Sequence, residues 1–388
     1  MTNAQKLTLE LMRYKITGTS LSEEFANGIS EDDLSLVYEI SVSQGVVAIV
    51  GEALSDLNMI DGEIKQAFFE SQLANLYVTE QIKHELESIS SLFEEEKIPF
   101  IPLKGSVLRG YYPKPEMRES CDIDALIHPE DLERACDALK NKLGYEQRTR
   151  SPHDVGMFAP SEVELELHHI LYTAEDNRKK ILDRVWEYAD SCNGYEYKCE
   201  LKKEFFVLYH LIHMVKHVVN GGCGIRPFLD LYIIDTKFGY DKEKLKTLTD
   251  EAGITKFSYE AFKTAHAWFG KGESDITAEL MSDYIFNAGI YGNFENQVAA
   301  SLAHNGTKFK NLMERIFMPY DTLKVIYPII KEYPVLTPFY EVKRWFRIIF
   351  KDKAKNQLII MKHNSNITEE KQTKVAKLME NLGLNEHK

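Results

Sequence analysis

The sequence predicts an α+β protein, with a small mixed-sheet core set inside a largely helical chain. Three observations lead there. Apolar residues recur at helical spacing from Leu7 to about Phe93, short apolar runs bounded by Pro and Gly follow from "KIPFIPLKG" onward, and helical spacing returns after Asp176. The expected organisation is an N-terminal helical region at 1–85, an α/β core at 86–175 and a C-terminal helical region at 176–388.

The N-terminal helices break near Thr17 to Ser22 and Asn58 to Gly62, where polar residues and Gly interrupt the period. In "KIPFIPLKG" a short apolar run between prolines reads as a buried strand, and Gly105-Ser106 turns it into a short helix that Pro113 ends. "CDIDALI" is the next strand, and "PEDLERACDALKNKLG" is a helix with Pro129 at its start and Gly144 at its end. "VGMFA" and "EVELELHHI" read as paired strands around a turn at Pro160 and Ser161. Beyond Asp176 helices are expected throughout, interrupted at "NGGCG" and at Pro319, Pro328, Pro334 and Pro338.

Composition removes several function classes. A chain of 388 residues can form two or three packed units, and 44% hydrophobic with 28% charged residues is the balance of a folded, soluble protein. No apolar run approaches the roughly 18 residues of a membrane helix. The N-terminal "MTNAQKLTLELMRYK" lacks the apolar core of a signal peptide. Five cysteines, an odd number without a CxxC pair, argue against a disulfide framework. The expectation is a cytoplasmic protein with reduced thiols. Its net charge of −13 is uneven: residues 1–100 hold 18 Asp/Glu against 6 Lys/Arg, and residues 301–388 hold 16 Lys/Arg against 9 Asp/Glu. Either the basic end meets an anionic partner or the two ends dock on each other. In "EVKRWFRIIFKDKAKNQLIIMKH", Lys343, Arg344, Arg347, Lys351, Lys353 and Lys355 interleave with Trp345, Phe346 and Phe350. Helical spacing predicts that Trp345, Ile348 and Ile349 pack inward and leave the charges in water. The sharper alternative is a polyanionic acceptor beside this stretch, RNA first and an anionic membrane second.

The chemistry-bearing residues lie in the middle. In a strand Asp122 and Asp124 project from one face, about 6.5–7 Å apart along the backbone. Ionised carboxylates at that spacing repel, so they face open water or hold a cation, and removing either should maintain or raise metal-free stability. Alternation in "EVELELHH" puts Glu162, Glu164, Glu166 and His168 on one face. If this strand lies beside the first, a third carboxylate joins the pair, a set suited to hard, oxygen-preferring Mg²⁺. A solvated face on an edge strand is the plainer reading. Gly105 and Ser106 weigh against it, because a glycine turn at a helix start with free N–H groups accepts a phosphate. His210, His213 and His217 share one helix face, without an HExxH step that would mark a zinc site. Arg226 and Asp230, four apart, are expected to pair.

"LKGS" followed by "DIDALI" resembles the nucleotidyltransferase signature of the DNA polymerase β-like superfamily. More closely, Lys104-Gly105, Arg118 before the DID, and Glu166-Leu167-His168 resemble an uncharacterised bacterial nucleotidyltransferase family, as do "HMVKHVVNGGCGIRPFLDLYII" and "YPVLTPFYEVKRWFRIIF". The fifteen residues between Ser106 and Asp122 slightly exceed the usual spacing. The resemblance implies a mixed sheet with flanking helices, an NTP substrate and two Mg²⁺ ions held by Asp122, Asp124 and Glu166, with Glu164 the alternative third ligand. It implies nucleotide-binding roles for Lys104, Gly105, Ser106, Arg118 and His168, and nucleotide or acceptor contacts for His213, His217, Arg226 and Asp230. The expected activity is transfer of an NMP from an NTP to a hydroxyl or similar acceptor, which could be a small molecule, a lipid-linked sugar, a protein or an RNA end. Two rivals stand beside it: a nucleotide-binding or regulatory protein that has lost catalysis, and a hydrolase with a metal on His213 and His217.

Overall fold

The computed structural model describes residues 1–26, 29–289, 292–305, 318, 320–350 and 367–385. Lys351, Lys353, Lys355 and Pro319 lie outside the described residues. The chain divides into two compact units, residues 1–213 with 225–278 and residues 214–224 with 279–388.

The first unit begins with helices α1 (Asn3–Thr17), α2 (Glu23–Ala26), α3 (Glu31–Gln44), α4 (Val47–Asp56) and α5 (Gly62–Glu95). Local chemistry sets their ends. Thr2 and Gln5 form a reciprocal capping box on α1, Ser30 caps α3, and Gly18 and Gly45 terminate these helices in left-handed backbone. Helix α5, about 50 Å long from its 34 residues, lays Ile82, Ile89, Leu92 and Phe93 on a sheet.

That sheet has strands β1 (Phe100–Pro102), β2 (Asp122–Ile127), β3 (Glu146–Arg150), β4 (Asp154–Phe158) and β5 (Glu164–His168), in the order β1-β2-β5-β4-β3. Only β2 and β5 run parallel; the other pairs are antiparallel, so the sheet is mixed and the fold is α+β. Helix α6 (Gly105–Leu108) follows β1, and α7 (Leu132–Leu143) follows β2 and ends at Gly144 in left-handed backbone. Ile123, Ala125 and Ile127 of β2 join Val155, Met157, Leu165 and Leu167 in one core with Phe93 of α5 and Ala135 and Leu139 of α7. The alternate residues Asp122, Asp124, Glu164, Glu166 and His168 therefore project from the other face. Each buried large aliphatic is worth roughly 1.5–3 kcal/mol, and a one-residue slip would exchange the two faces, so the core holds the register of the acids.

Two expectations need correction here. Glu162 is not a strand residue: it sits in the β4–β5 turn at φ 66, and its exposed carboxylate takes both Arg148 Nη1 and Nη2, at 2.6 and 2.9 Å. Nor is the chain after Asp176 wholly helical. Strands β6 (Ala189–Ser191) and β7 (Cys199–Leu201) form a hairpin around Gly194, and Phe100 N donates to Tyr197 O at 3.0 Å. The hairpin covers the β1 edge, and Glu94 accepts from the N–H groups of Glu196, Tyr197 and Lys198. Strands of three residues are too short to show an alternation against a helical background.

Helices α8 (Asn177–Leu182), α9 (Lys203–Val219), α10 (Arg226–Ile233), α11 (Lys242–Ala252) and α12 (Thr255–Phe269) follow. The second unit includes the helices Phe294–Asn305, Tyr320–Ile326, Ile329–Glu332, Thr337–Phe350 and Glu369–Asn381. In Thr337–Phe350 the expectation that the charges stay in water holds at Lys343 and fails at Arg344, while the side chains of Arg347, Ile348, Ile349 and Phe350 lie outside the described residues. Arg344 is buried at 4% exposure and ion-paired to Glu341 at 2.8 Å, Trp345 is half-buried, and Phe346 is exposed. A self-neutralising pair one turn apart can leave water where an isolated charge cannot. Among the described residues no helix is long and apolar enough to cross a membrane.

Candidate active site

The site is built on the parallel pair. In register, Asp122 lies opposite Glu164, Asp124 opposite Glu166 and Leu126 opposite His168. On the far side of β5, Gly156 of β4 lies opposite Glu166. A Cβ there would come within 3.0 Å of Glu164 Oε1 and would collide with Thr149 Oγ1, so glycine leaves room for the acids.

Asp124 is the buried centre, 4% exposed. Its Oδ1 accepts from Lys104 Nζ at 2.7 Å and from His168 Nε2 at 2.9 Å, and His168 Nε2 lies 3.4 Å from Glu166 Oε2. Burial pushes the Asp124 carboxyl up, but Lys104 and then His168 outweigh it and hold it well below the usual carboxylate range. Burial pulls His168 down, yet its hydrogen bonds to Asp124 and Glu166 push it up to about 9, so the imidazole is protonated at neutral pH. Asp122 behaves oppositely: burial and then the Asp124 charge raise its pKa. Ligating atoms of Asp124, Glu166 and His168 all lie within 4.8 Å of one another, a group that could bind a metal ion through its carboxylates, and through His168 once the imidazole gives up its proton. Hard carboxylate oxygens and the raised pKa of Asp122 both fit a divalent cation. The expectation of simple repulsion is thus corrected for Asp124, which carries two cationic partners.

Lys104 reaches this point from an unusual backbone, φ 46 and ψ −114, a region that favours glycine and costs a larger residue about 1–3 kcal/mol. Its flanks are tied by Leu103 N to Asp124 O at 2.9 Å and Ser106 N to Leu103 O at 3.1 Å. Free amides at the Gly-Ser turn, expected from the sequence, are not found at Ser106 or Val107, because Val107 N also bonds, to Lys104 O. The space over Gly105 belongs to Arg118: a Cβ at Gly105 would lie 2.5 Å from Arg118 Nη1.

Arg118 itself is 5% exposed and bridges to helix α10, donating from Nε and Nη2 to Asp230 Oδ1 and Oδ2 at 3.0 and 2.9 Å. The Tyr112 hydroxyl also donates to Asp230 Oδ1, at 2.7 Å. Asp230 therefore pairs with Arg118 and not with Arg226, whose guanidinium donates to Glu119 O. The expected Arg226–Asp230 pair does not form: Asp230 is only 1% exposed and is taken by the buried Arg118. His210, 5% exposed, contacts Pro227 O at 3.2 Å as a satisfied core residue. His213 is half-buried with its ring 6.2 Å from that of Tyr209, and His217, also half-buried, falls in the second unit. Among the described residues, neither belongs to a metal-ligating group.

Sequence reasoning passed over two residues here. Tyr209 of α9 is 4% exposed, and burial followed by the charges of Asp124, Glu166 and Asp122 raises its hydroxyl pKa, which locates it beside the acids. Arg109 is 8% exposed, donates from Nη2 to Ser120 Oγ and leaves Nε without a partner, as Ser106 Oγ is left. Burial, then Arg118 and Arg226, lower Arg109 to about 10, while Asp122 opposes them. Among the described residues, Arg109 and Arg226 have no carboxylate at ion-pair distance. A signal existed in "GSVLRG", where Arg109 falls three and four residues after Ser106 and Gly105, on their helix face.

The family model of an uncharacterised nucleotidyltransferase matches residues 30–270, more than half of the chain, and spans every one of these residues. The chain belongs to that nucleotidyltransferase family. Neither a curated protein nor a solved structure matches it. The family membership makes the chain a transferase that uses an NTP.

Proposed function

We propose that the chain is an Mg²⁺-dependent nucleotidyltransferase of the DNA polymerase β-like kind, working in the cytoplasm. The carrying observation is the parallel register that sets Asp124 beside Glu166 and Asp122 beside Glu164. Asp122, Asp124 and Glu166 would hold two Mg²⁺ ions, with Glu164 the alternative to Glu166. Bound there, such ions supply positive charge to the attacking and leaving oxygens of a phosphoryl transfer. An acceptor oxygen forms a bond to the α-phosphorus of the NTP, the α–β phosphoanhydride bond breaks, and pyrophosphate leaves.

The remaining roles belong to the chain. Lys104 and His168 hold Asp124 ionised and oriented. Arg109 and Arg226, unpaired with carboxylates and beside Asp122, provide counter-charge for a triphosphate, and Ser106 Oγ an available hydroxyl. Arg118 positions this turn through Asp230. His213 and His217 stay as candidate contacts to nucleotide or acceptor.

Incubation of the protein with each labelled NTP and Mg²⁺ in a cell extract, with and without ribonuclease or protease, tests the reading and narrows the acceptor. Turnover abolished by Asp122→Asn and by Asp124→Asn supports it; undiminished turnover in both ends it. A second reading, nucleotide binding without turnover, draws on the grip of Lys104 and His168 on Asp124. Saturable NTP binding with no transfer in any extract would favour it.

A further inference from the structure

Exposed large apolar side chains are not scattered evenly over the described residues. Six of them, Ile329, Tyr333, Val335, Phe339, Val342 and Phe346, fall within eighteen residues of the second unit. Val335, Phe339, Val342 and Phe346 are 87%, 62%, 55% and 57% exposed. Their spacing of four, three and four residues follows one face of the turn Pro334–Leu336 and the helix Thr337–Phe350. The opposite face carries the polar anchors. Glu341 accepts from Arg344 Nε at 2.8 Å and from Met318 N at 2.7 Å, and Tyr340 packs its ring 4.7 Å from that of Tyr327. The helix is therefore held from this face by the Met318–Glu341 hydrogen bond and the Tyr327–Tyr340 ring contact, and turns its aliphatic and aromatic stripe outward.

Charge says what meets that stripe. Residues 324–362 hold nine Lys/Arg against three Asp/Glu, in a protein whose net charge is −13, and one of those three acids, Glu341, is neutralised by Arg344. Lys343, exposed one turn beyond Phe339, flanks the stripe with its ammonium 5.3 Å from the centre of the Tyr340 ring. We infer that the Thr337–Phe350 segment is an interfacial anchor that lies on an anionic lipid surface. Phe339, Val342 and Phe346 enter the acyl boundary, and Lys343 beside them meets the lipid phosphates. At about 21 Å the helix is too short to cross a hydrocarbon core of roughly 30 Å, so it lies in the plane. A nucleic acid is the weaker match, because the outward residues include two valines, which offer no face for base stacking, where that ligand calls for cations. This inference is independent of the nucleotidyl-transfer reading, and its test uses no turnover.

The full chain is sedimented with phosphatidylcholine vesicles, with and without phosphatidylserine, at low and high salt. Binding to the serine-lipid vesicles that weakens with salt, and little to phosphatidylcholine alone, is expected. Phe339→Ser with Val342→Ser, both at exposed positions, should lower partition on the order of a hundredfold. Lys343→Glu should lower it by at least about fivefold on serine-lipid vesicles, since each basic residue near such a surface contributes roughly that factor. Val342→Trp adds a direct reporter, whose emission should shift to the blue when those vesicles are added. Failure of the wild type to bind them at low salt, full binding by the double serine variant, or an unshifted Val342→Trp emission would each overturn the anchor. Salt-sensitive binding of tRNA-sized RNA that survives the serine changes, with vesicles left unbound, would overturn it in favour of a nucleic-acid surface.

Discussion

Neutralising either aspartate of the DID step should stop turnover, yet the two changes should move metal-free stability in opposite directions. Asp124→Asn removes a charge that two cations share, with Lys104 Nζ at 2.7 Å and His168 Nε2 at 2.9 Å, in a place where the aspartate is 4% exposed. Removing one member of a buried ion pair costs about 3–5 kcal/mol, because the surviving charge has lost its counter-ion. The asparagine retains a hydrogen-bonding oxygen and His168 can release its proton, so the lower end applies, about 3 kcal/mol. At roughly 2 °C per kcal/mol for a unit of this size, the melting temperature falls by about 6 °C. Asp122→Asn instead removes a carboxylate whose pKa is raised by burial and by Asp124. Its loss relieves a like-charge contact and should stabilise by up to about 1 kcal/mol. Thermal melts in EDTA measure both, with circular dichroism for the fold and labelled NTP for turnover. If Asp124→Asn melts at or above the wild type, the Lys104–Asp124–His168 account is wrong. If Asp122→Asn also loses several degrees, the attraction of Asp122 to Lys104 and Arg226 outweighs its repulsion by Asp124.

Three shorter predictions accompany it. Glu166→Gln should reduce transfer at least about a hundredfold and Glu164→Gln less, the scale of an essential electrostatic group; the reverse order in kcat would assign the third ligand to Glu164. Gly105→Ala drives a methyl to 2.5 Å from Arg118 Nη1, so it should destabilise by about 1–3 kcal/mol in a urea melt, and wild-type stability would mean Arg118 does not need that space. Glu119 accepts from Ala48 N at the start of α4, and burial, only partly offset by that bond and by Arg226, pushes its pKa up to about 7. The folded state then holds this proton more tightly than the unfolded one, so stability declines as pH rises from about 4.5 through about 7, by no more than about 3 kcal/mol. Glu119→Gln should flatten that decline, and melts of the two proteins with identical slopes over this window would contradict the assignment.

Much of the architecture follows from local pattern. The 3.6-residue period and the glycines at 18, 45 and 144 mark helices and their ends, because capping and backbone handedness are decided within a few residues. Alternation in "DIDALI" puts the two aspartates on one face for the same reason. What the local pattern left open was partnership across the core. That Asp124 lies between Lys104 and His168, that Asp230 takes Arg118 and leaves Arg226 to Glu119 O, and that Arg118 fills the space over Gly105 depend on which elements pack together. The hairpin over the β1 edge and the inward Arg344 are of the same kind. Composition and period dictate which residues leave water, because burial of apolar area is non-directional; the partner of each buried charge is decided only when the packed fold brings donors and acceptors from distant segments within about 3 Å.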